Sequence, residues 1–319
     1  MKYKTLQDIN SAKEVISCPG DTLLETIQAK GISQSDLALR MGRPLKTINE
    51  IIMGKASITP ETAIQLERVI GPSAQFWLNY ERQYRLDLAE IAESEQLLGA
   101  SDWIAQFPLK EMMKLQWISF ENDVISKSDA LLKYFSVANK EAFQKYYHEN
   151  LYAAAFRKSP SSNQNSFAIV SWLRRGDIQA EKIQISPFDS KKFKIALALI
   201  KQIRANQPDG YFTQLQMVCN ACGVKLVLTP GLPKTSVNGA TRWHNDNPVI
   251  QLSDRYKRDD IFWFTFFHEA AHIVLHGKKD VFIEGIETSK ETKAKELQAD
   301  EFATRWLLSE TEVKEIFVT

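Results

Sequence analysis

Residues 261–276 read IFWFTFFHEAAHIVLH. An apolar run of seven residues is closed here by a histidine–glutamate pair. Four residues advance an α-helix by about 400°, so His268 and His272 project from one face, about one turn apart. Two imidazole nitrogens so placed can reach one tetrahedral Zn2+ at about 2.0–2.1 Å each. Glu269 stands beside the first histidine and points toward the same cleft, where a carboxylate can act as general base toward water. Ala270 and Ala271 are too small to block the site. The apolar lead-in predicts a buried helix, in which a carboxylate between two imidazoles is costly without a compensating partner such as a metal.

A five-residue motif arises by chance often enough that a third ligand is the test. Downstream, residues 295–308 read KELQADEFATRWLL. Glu296 and Asp300 share one helix face at i, i+4, and Ala299 and Ala303 permit a close approach to the first helix. Glu296 is therefore the expected third ligand. Asp300, one turn on, can accept the free N–H of a ligand histidine and fix its tautomer. Water would take the fourth position of a catalytic zinc. His276, another turn along the first helix, reads as structural rather than as a ligand. His244 and Tyr256 are the candidates for an oxyanion donor.

Upstream, VKLVL at 224–228 lies between Gly223 and Pro230 and is rich in strand formers. Residues 236–243 and 248–252 read as two more strands, joined by the turn-rich HNDN at 244–247. Helices are expected at 191–206 and from there to Cys222, at 260–276, at 292–307 and briefly from Glu310. Helices, a small sheet and helices again make an α+β unit. Cys219 and Cys222 form a CxxC with no second pair, so buried core cysteines are the expectation.

The N-terminal third is different. Residues 20–92 read as consecutive short helices with no strand alternation between them. Ser33 and Thr59 are helix caps, Pro44 and Pro60 suit first turns, and Gly42, Gly54 and Gly71 are stops. Residues 33–53 have the helix–turn–helix shape of a DNA-reading module. Gln34 opens its first helix and can clamp a phosphate. Arg43, Lys46, Thr47 and Asn49 cluster where base edges are met, and Lys55 can touch backbone. Residues 1–90 carry about as many acidic as basic side chains, so no strong electrostatic footprint accompanies the shape. Between the two ends, 95–158 and 167–183 read as helices with aromatic anchors such as Trp103, Phe107, Trp117 and Phe135. SPSSNQNS at 159–166 is the best loop by composition.

The chain of 319 residues thus reads as multidomain: an all-α unit at 1–92, a helical connecting region at 93–186 and an α+β unit at 187–319. The net charge of +1 indicates no whole-molecule attraction to nucleic acid or membrane. Three scattered cysteines make no disulfide framework and suit a reducing, cytoplasmic setting. The polar start MKYKTLQDIN lacks the apolar core of a signal peptide, and no apolar run approaches a membrane span.

Four segments together resemble the ImmA/IrrE metallopeptidases: NGATRW (238–243), PVIQLSDRYKRDD (248–260), FTFFHEAAHIVLHG (264–277) and ELQADEFATRWLL (296–308). The resemblance implies a zincin-like fold and a thermolysin-like zinc site of His268, His272 and Glu296, with Glu269 as base. It also implies proteolysis of DNA-bound repressors, with the strand at 248–252 pairing to an extended substrate by β-augmentation. The sequence stops at Thr319, soon after the second ligand helix, where members of that family often continue, which leaves two expectations open: a substrate-gating tail that is absent, or a sequence that is a piece of a longer one. Residues 20–79, from GDTLLETIQAKGISQSDLALRMGRPLKTINE to PSAQFWLN, resemble the Xre-type domain of HigA-like antitoxins. That implies operator binding, usually as a homodimer, and sometimes a toxin partner. Two readings follow. One is a DNA-binding regulator whose zinc peptidase cuts a regulatory protein, either a repressor or a toxin-linked factor. The other is a HigA-like antitoxin of a toxin–antitoxin module whose metallopeptidase-like domain senses or binds a partner without cutting it.

Overall fold

The computed structural model describes residues 2–152, 165–254, 258–278, 281–283 and 290–308. The expected helix from Glu310 lies outside them, as does most of the loop at 159–166. The chain divides into two compact units, 1–102 with 120–129, and 103–119 with 130–319. Residues of the expected connecting region thus fall in both.

The first unit is all helix: α1 Leu6–Val15, α2 Pro19–Ala29, α3 Gln34–Met41, α4 Leu45–Ile52, α5 Pro60–Ile70 and α6 Ala74–Leu98. Ser33 and Thr59 cap their helices as expected, whereas Pro44, expected in a first turn, is the extended N-cap residue before α4. Ser33 accepts from the Asp36 amide, Thr59 from Thr62 and Ser73 from Phe76. Helix α1 adds to the elements expected from sequence, started by a capping box between Thr5 and Asp8. Helix α6 runs six residues beyond the expected Ala92, because Ser94 and Leu97 still face inward. Leu23, Ile27, Leu37, Ile48, Leu66 and Trp77 fill the core. Gly20 lets α2 lie directly on α4, since a Cβ there would collide with the carbonyl oxygens of Ile51 and Ile52.

The second unit contains α8 Leu109–Lys114, α10 Lys140–Phe143, a π-helical stretch Gln144–Leu151 and α11 Ser166–Glu181. Two further helices, α7 Ser101–Ile104 and α9 Val124–Phe135, span the division between the units. Trp103, Phe107, Phe135 and Phe143 pack edge-on within one cluster and are buried, as core aromatics should be. Helices α12 Ser190–Asn206 and α13 Tyr211–Ala221 lead into a four-stranded sheet of β1 Lys225–Thr229, β2 Gly239–His244, β3 Asn247–Ser253 and β4 Phe282–Ile283. The sheet order is β1-β3-β2-β4, with β1 parallel to β3 and the other pairs antiparallel. A two-residue turn at Asn245–Asp246 joins β2 to β3, and Asn245 takes the left-handed conformation it tolerates.

Helix α14 Asp259–Ala271 covers one face of this sheet with Trp263, Phe266, Phe267 and Ala270, packed among Leu197, Ile200, Leu215 and Ile250. Buried Cys219 and Cys222 belong to this core, and neither is in a disulfide. Helix α11 covers the other face. Trp172 Nε1 and Gln179 Nε2 donate to the carbonyls of Thr229 and Leu228, and Gln251 Nε2 donates to Trp172 O. Arg242 of β2 reaches α11 as well, pairing at 2.7 Å with Asp177 and donating to Leu173 O.

Two expectations need correction. Strand β3 is interior, with β1 on one side and β2 on the other, so its backbone groups are already paired and it cannot take up an extended substrate. The helix expected to run unbroken to His276 ends at Ala271 and closes with a π-helical turn, His272–His276. Among the described residues no helix is long and apolar enough to cross a membrane.

Candidate metal centre

Helix α14 and helix α15, Lys290–Leu307, carry the candidate ligands. Ala299 and Ala303 are wholly buried between them, which is what two small residues on one face allow. The approach brings His268, His272 and Glu296 together, with their ligand atoms all within 4.8 Å of one another. Nε2 of His268 lies 3.1 Å from Nε2 of His272 and 3.1 Å from Glu296 Oε2. Nε2 of His272 lies 3.6 Å from Glu296 Oε1. Ligands held at about 2.0–2.1 Å around a tetrahedral ion would be separated by roughly 3.3 Å, so the three spacings fit a zinc ion. Chemistry agrees with geometry. Glu296 Oε1 is buried and accepts no hydrogen bond among the described residues, although an imidazole nitrogen faces it. Two nitrogens and a carboxylate are a donor set for zinc.

The surroundings set the protons. Asp300 Oδ1 lies 2.9 Å from Nδ1 of His268, as expected from the i, i+4 spacing to Glu296. Burial opposes a charge on His268, but Glu296, Glu269 and Asp300 outweigh it and raise the pKa to about 9. His272 is pushed the other way, to about 2, by burial and by His268, His276 and Lys295 around it. Metal-free, the pair therefore holds its proton on His268. The ring of His272 is stacked on Phe282 of β4, with centroids 3.9 Å apart.

Glu269 is 0% exposed and faces β2. Two residues of that strand support it, and the motif spacing singles out neither. Thr241 Oγ1 donates to the Glu269 carbonyl at 3.0 Å. Gly239 makes room for its side chain, because a Cβ there would lie 2.5 Å from Glu269 Oε1. The available signal is the run of small residues in NGAT, which face a helix carrying the motif. His244 is no oxyanion donor to this centre, since it lines a cavity with Arg242 and Asp177 on the α11 side of the sheet. Tyr256 lies outside the described residues. His276 is no ligand. Its two nitrogens meet Nδ1 of His272 and Oε1 of Gln298.

In the first unit the expected DNA-contacting residues are spread along the motif: Gln34 opens α3, Arg43 lies in the turn, Lys46, Thr47 and Asn49 are in α4, and Lys55 follows it. Gln34 is the first residue of α3 and is half-buried. Lys46 and Lys55 are exposed, and Lys46 lies 3.8 Å from Glu50. Arg43 Nε donates to Gln65 of α5, and Thr47 is half-buried. Asn49 is half-buried too, with its Oδ1 turned inside.

Comparison with known proteins finds two separate matches along the chain. Residues 219–319 match the IrrE N-terminal-like domain of peptidase family M78, and residues 23–77 match a helix-turn-helix family. The chain is 39% identical over 72 residues to the uncharacterized HTH-type transcriptional regulator YddM of Escherichia coli (strain K12), a match covering 23% of this chain and 77% of that one. It is 38% identical over 73 residues to virulence-associated protein I of Dichelobacter nodosus, covering 23% and 68%. Among solved structures, the Pseudomonas aeruginosa antitoxin HigA with the higBA promoter is 33% identical, over 25% of this chain and 89% of that one, with a TM-score of 0.25. An addiction module antidote protein of a HigA family from Coxiella burnetii is 28% identical, over 26% and 90%, with a TM-score of 0.24.

Proposed function

The chain belongs to the helix-turn-helix regulators and carries an IrrE-like domain of peptidase family M78 at its C-terminal end, and from that premise we propose a DNA-binding regulator with a zinc-dependent endopeptidase that cuts a regulatory protein. The observation carrying this reading is the convergence of His268, His272 and Glu296 beside a fully buried Glu269. His268 and His272 would offer Nε2 to the ion, and Glu296 a carboxylate oxygen. A bound zinc ion supplies Lewis acidity toward a carbonyl oxygen. Asp300 orients His268 through its Nδ1–H. Glu269, shielded from bulk water and held by Gly239 and Thr241, accepts the proton of the attacking water.

A cavity of about 300 Å3 supports a polypeptide substrate. Phe212, Leu228, Leu252 and Phe262 line it, and Thr265, one helical turn before Glu269, lies at its wall. An apolar side chain seated there would lie alongside the base. The helix-turn-helix would place the peptidase at an operator, as a homodimer, so that its substrate is a repressor or a toxin-linked factor bound nearby. A second reading has the domain bind a partner without cutting it, in the manner of an antitoxin. The deep burial of all four motif side chains favours that one.

Glu269→Gln separates the two. New protein N-termini are mapped in cells expressing the full chain or this variant, alongside zinc content. Cleavage products present with the full chain and absent with a zinc-loaded variant establish the peptidase. Identical N-termini in both leave the partner-binding reading.

A further inference from the structure

The geometry points to His276 as a positioning residue for the metal centre: with Gln298 it fixes His272 in the tautomer whose Nε2 is free of a proton. The inference rests on the reading that His268, His272 and Glu296 hold a metal, and it assigns the support that one of those ligands still lacks.

Nδ1 of His272 lies 3.0 Å from Nδ1 of His276. Such a nitrogen–nitrogen contact holds one proton, so one ring donates and the other accepts. A neutral imidazole has one donor and one acceptor, which means that choosing one nitrogen fixes the other. The choice is made at the far end. Nε2 of His276 lies 3.0 Å from Oε1 of Gln298, and an amide oxygen only accepts. His276 therefore carries its proton on Nε2 and presents a bare Nδ1. His272 must then donate from Nδ1, and its Nε2 is left bare toward His268 Nε2 and Glu296. The reverse polarity would put a proton on Nε2 of His272 and aim a bare Nε2 of His276 at the amide oxygen, with no hydrogen bond between them.

Three features hold the relay in place. The π-helical turn has His272 and His276 as its two ends, so the widened turn and the ring contact occur together. Phe282 stacks on the ring of His272 and lies 5.4 Å from that of His276. Gln298 comes from α15, the helix that also supplies Glu296 and Asp300. One helix thus provides a ligand and the outer partner for each histidine, Asp300 directly for His268 and Gln298 through His276 for His272.

The test measures Zn2+ affinity of the full chain by competition with a chromophoric chelator, and the His272 tautomer by 15N resonances of the metal-free chain. His276→Ala should weaken zinc binding about ten- to hundred-fold, the range for loss of an outer partner. His276→Asn, whose Oδ1 takes the place of Nδ1 as acceptor, should recover most of it. Gln298 is exposed, so Gln298→Leu tests the relay without disturbing the core. In His276→Ala and Gln298→Leu the His272 signal should shift from Nδ1–H toward a mixture. Unchanged affinity and tautomer in both variants would overturn the inference, and so would loss of all zinc in His276→Ala, which would make it a ligand. If the unaltered chain takes up no zinc, the reading of the site fails. The tautomer of His272 in the metal-free chain still decides the relay.

Discussion

The backbone of Gly239 lies against the side chain of Glu269, so closely that a Cβ at 239 would sit 2.5 Å from Glu269 Oε1 and 2.5 Å from Thr265 Cγ2. A strand of the sheet therefore defines where the proposed base can be, while the candidate ligands come from the two helices. Gly239→Ala should displace Glu269 and leave the ligands in place. We expect zinc content near one per chain and cleavage reduced about 100-fold or more, since general-base catalysis contributes roughly 10²–10⁴. Metal analysis beside a cleavage assay checks this. Normal cleavage in the variant would remove the role given to that contact.

Asp300 accepts from Nδ1 of His268 at 2.9 Å and is half-exposed, so its loss should be tolerated by the fold. Asp300→Ala should weaken zinc binding about ten- to hundred-fold without removing it. Competition with a chelator measures the change. An affinity equal to that of the unaltered chain would show that His268 needs no such partner.

Proton bookkeeping gives a further check. At pH 7.5 His268, with a pKa of about 9, is protonated and His272, at about 2, is not. Zinc requires both Nε2 atoms bare, so binding should release about one proton. Calorimetry in two buffers of different ionisation enthalpy reads that number. The same shifts shape the stability of the metal-free chain. His268, raised above the ordinary 6.5, adds stability that is complete below 6.5 and lost as pH rises through about 9. His272, lowered, adds stability present above 6.5 and lost as pH falls toward about 2. Their joint contribution peaks near 6.5. Thermal midpoints of the metal-free chain across pH should show both limbs, less the rest of the titration, as the difference from a His268→Gln, His272→Gln variant.

In the first unit, Gly20→Ala should push α2 off α4. Overpacking of this kind costs about 1–3 kcal/mol, and here the obstacle is backbone rather than a side chain that can turn away. Chemical unfolding followed by far-UV circular dichroism should show an earlier first transition. An unchanged midpoint would mean that the two helices separate freely.

Much of the site is legible in residue spacing alone. The four-residue step from His268 to His272 and the same step from Glu296 to Asp300 each encode one helix face, and Ala299 with Ala303 encodes their close approach. Helix periodicity carries that information in full. What it does not carry is which strand lies beside which. Strand 248–252 reads as a partner for an extended substrate, yet pairing order makes it interior, flanked by β1 and β2. Gly239, Thr241 and the contact between His276 and Gln298 depend on how β2 and α15 approach α14, so composition alone cannot single them out. Helix α1 is a different case. The Thr5–Asp8 capping box is readable, and the polar run around it obscures a short helix that buries only Ile9.

The most direct test of the metal centre is a crystal of the full chain grown with zinc, with data collected on both sides of the zinc absorption edge. The ligand geometry predicts one anomalous peak within about 2.2 Å of Nε2 of His268, Nε2 of His272 and a carboxylate oxygen of Glu296. No peak there, or a peak bound through His276 in place of one of these three, would contradict it.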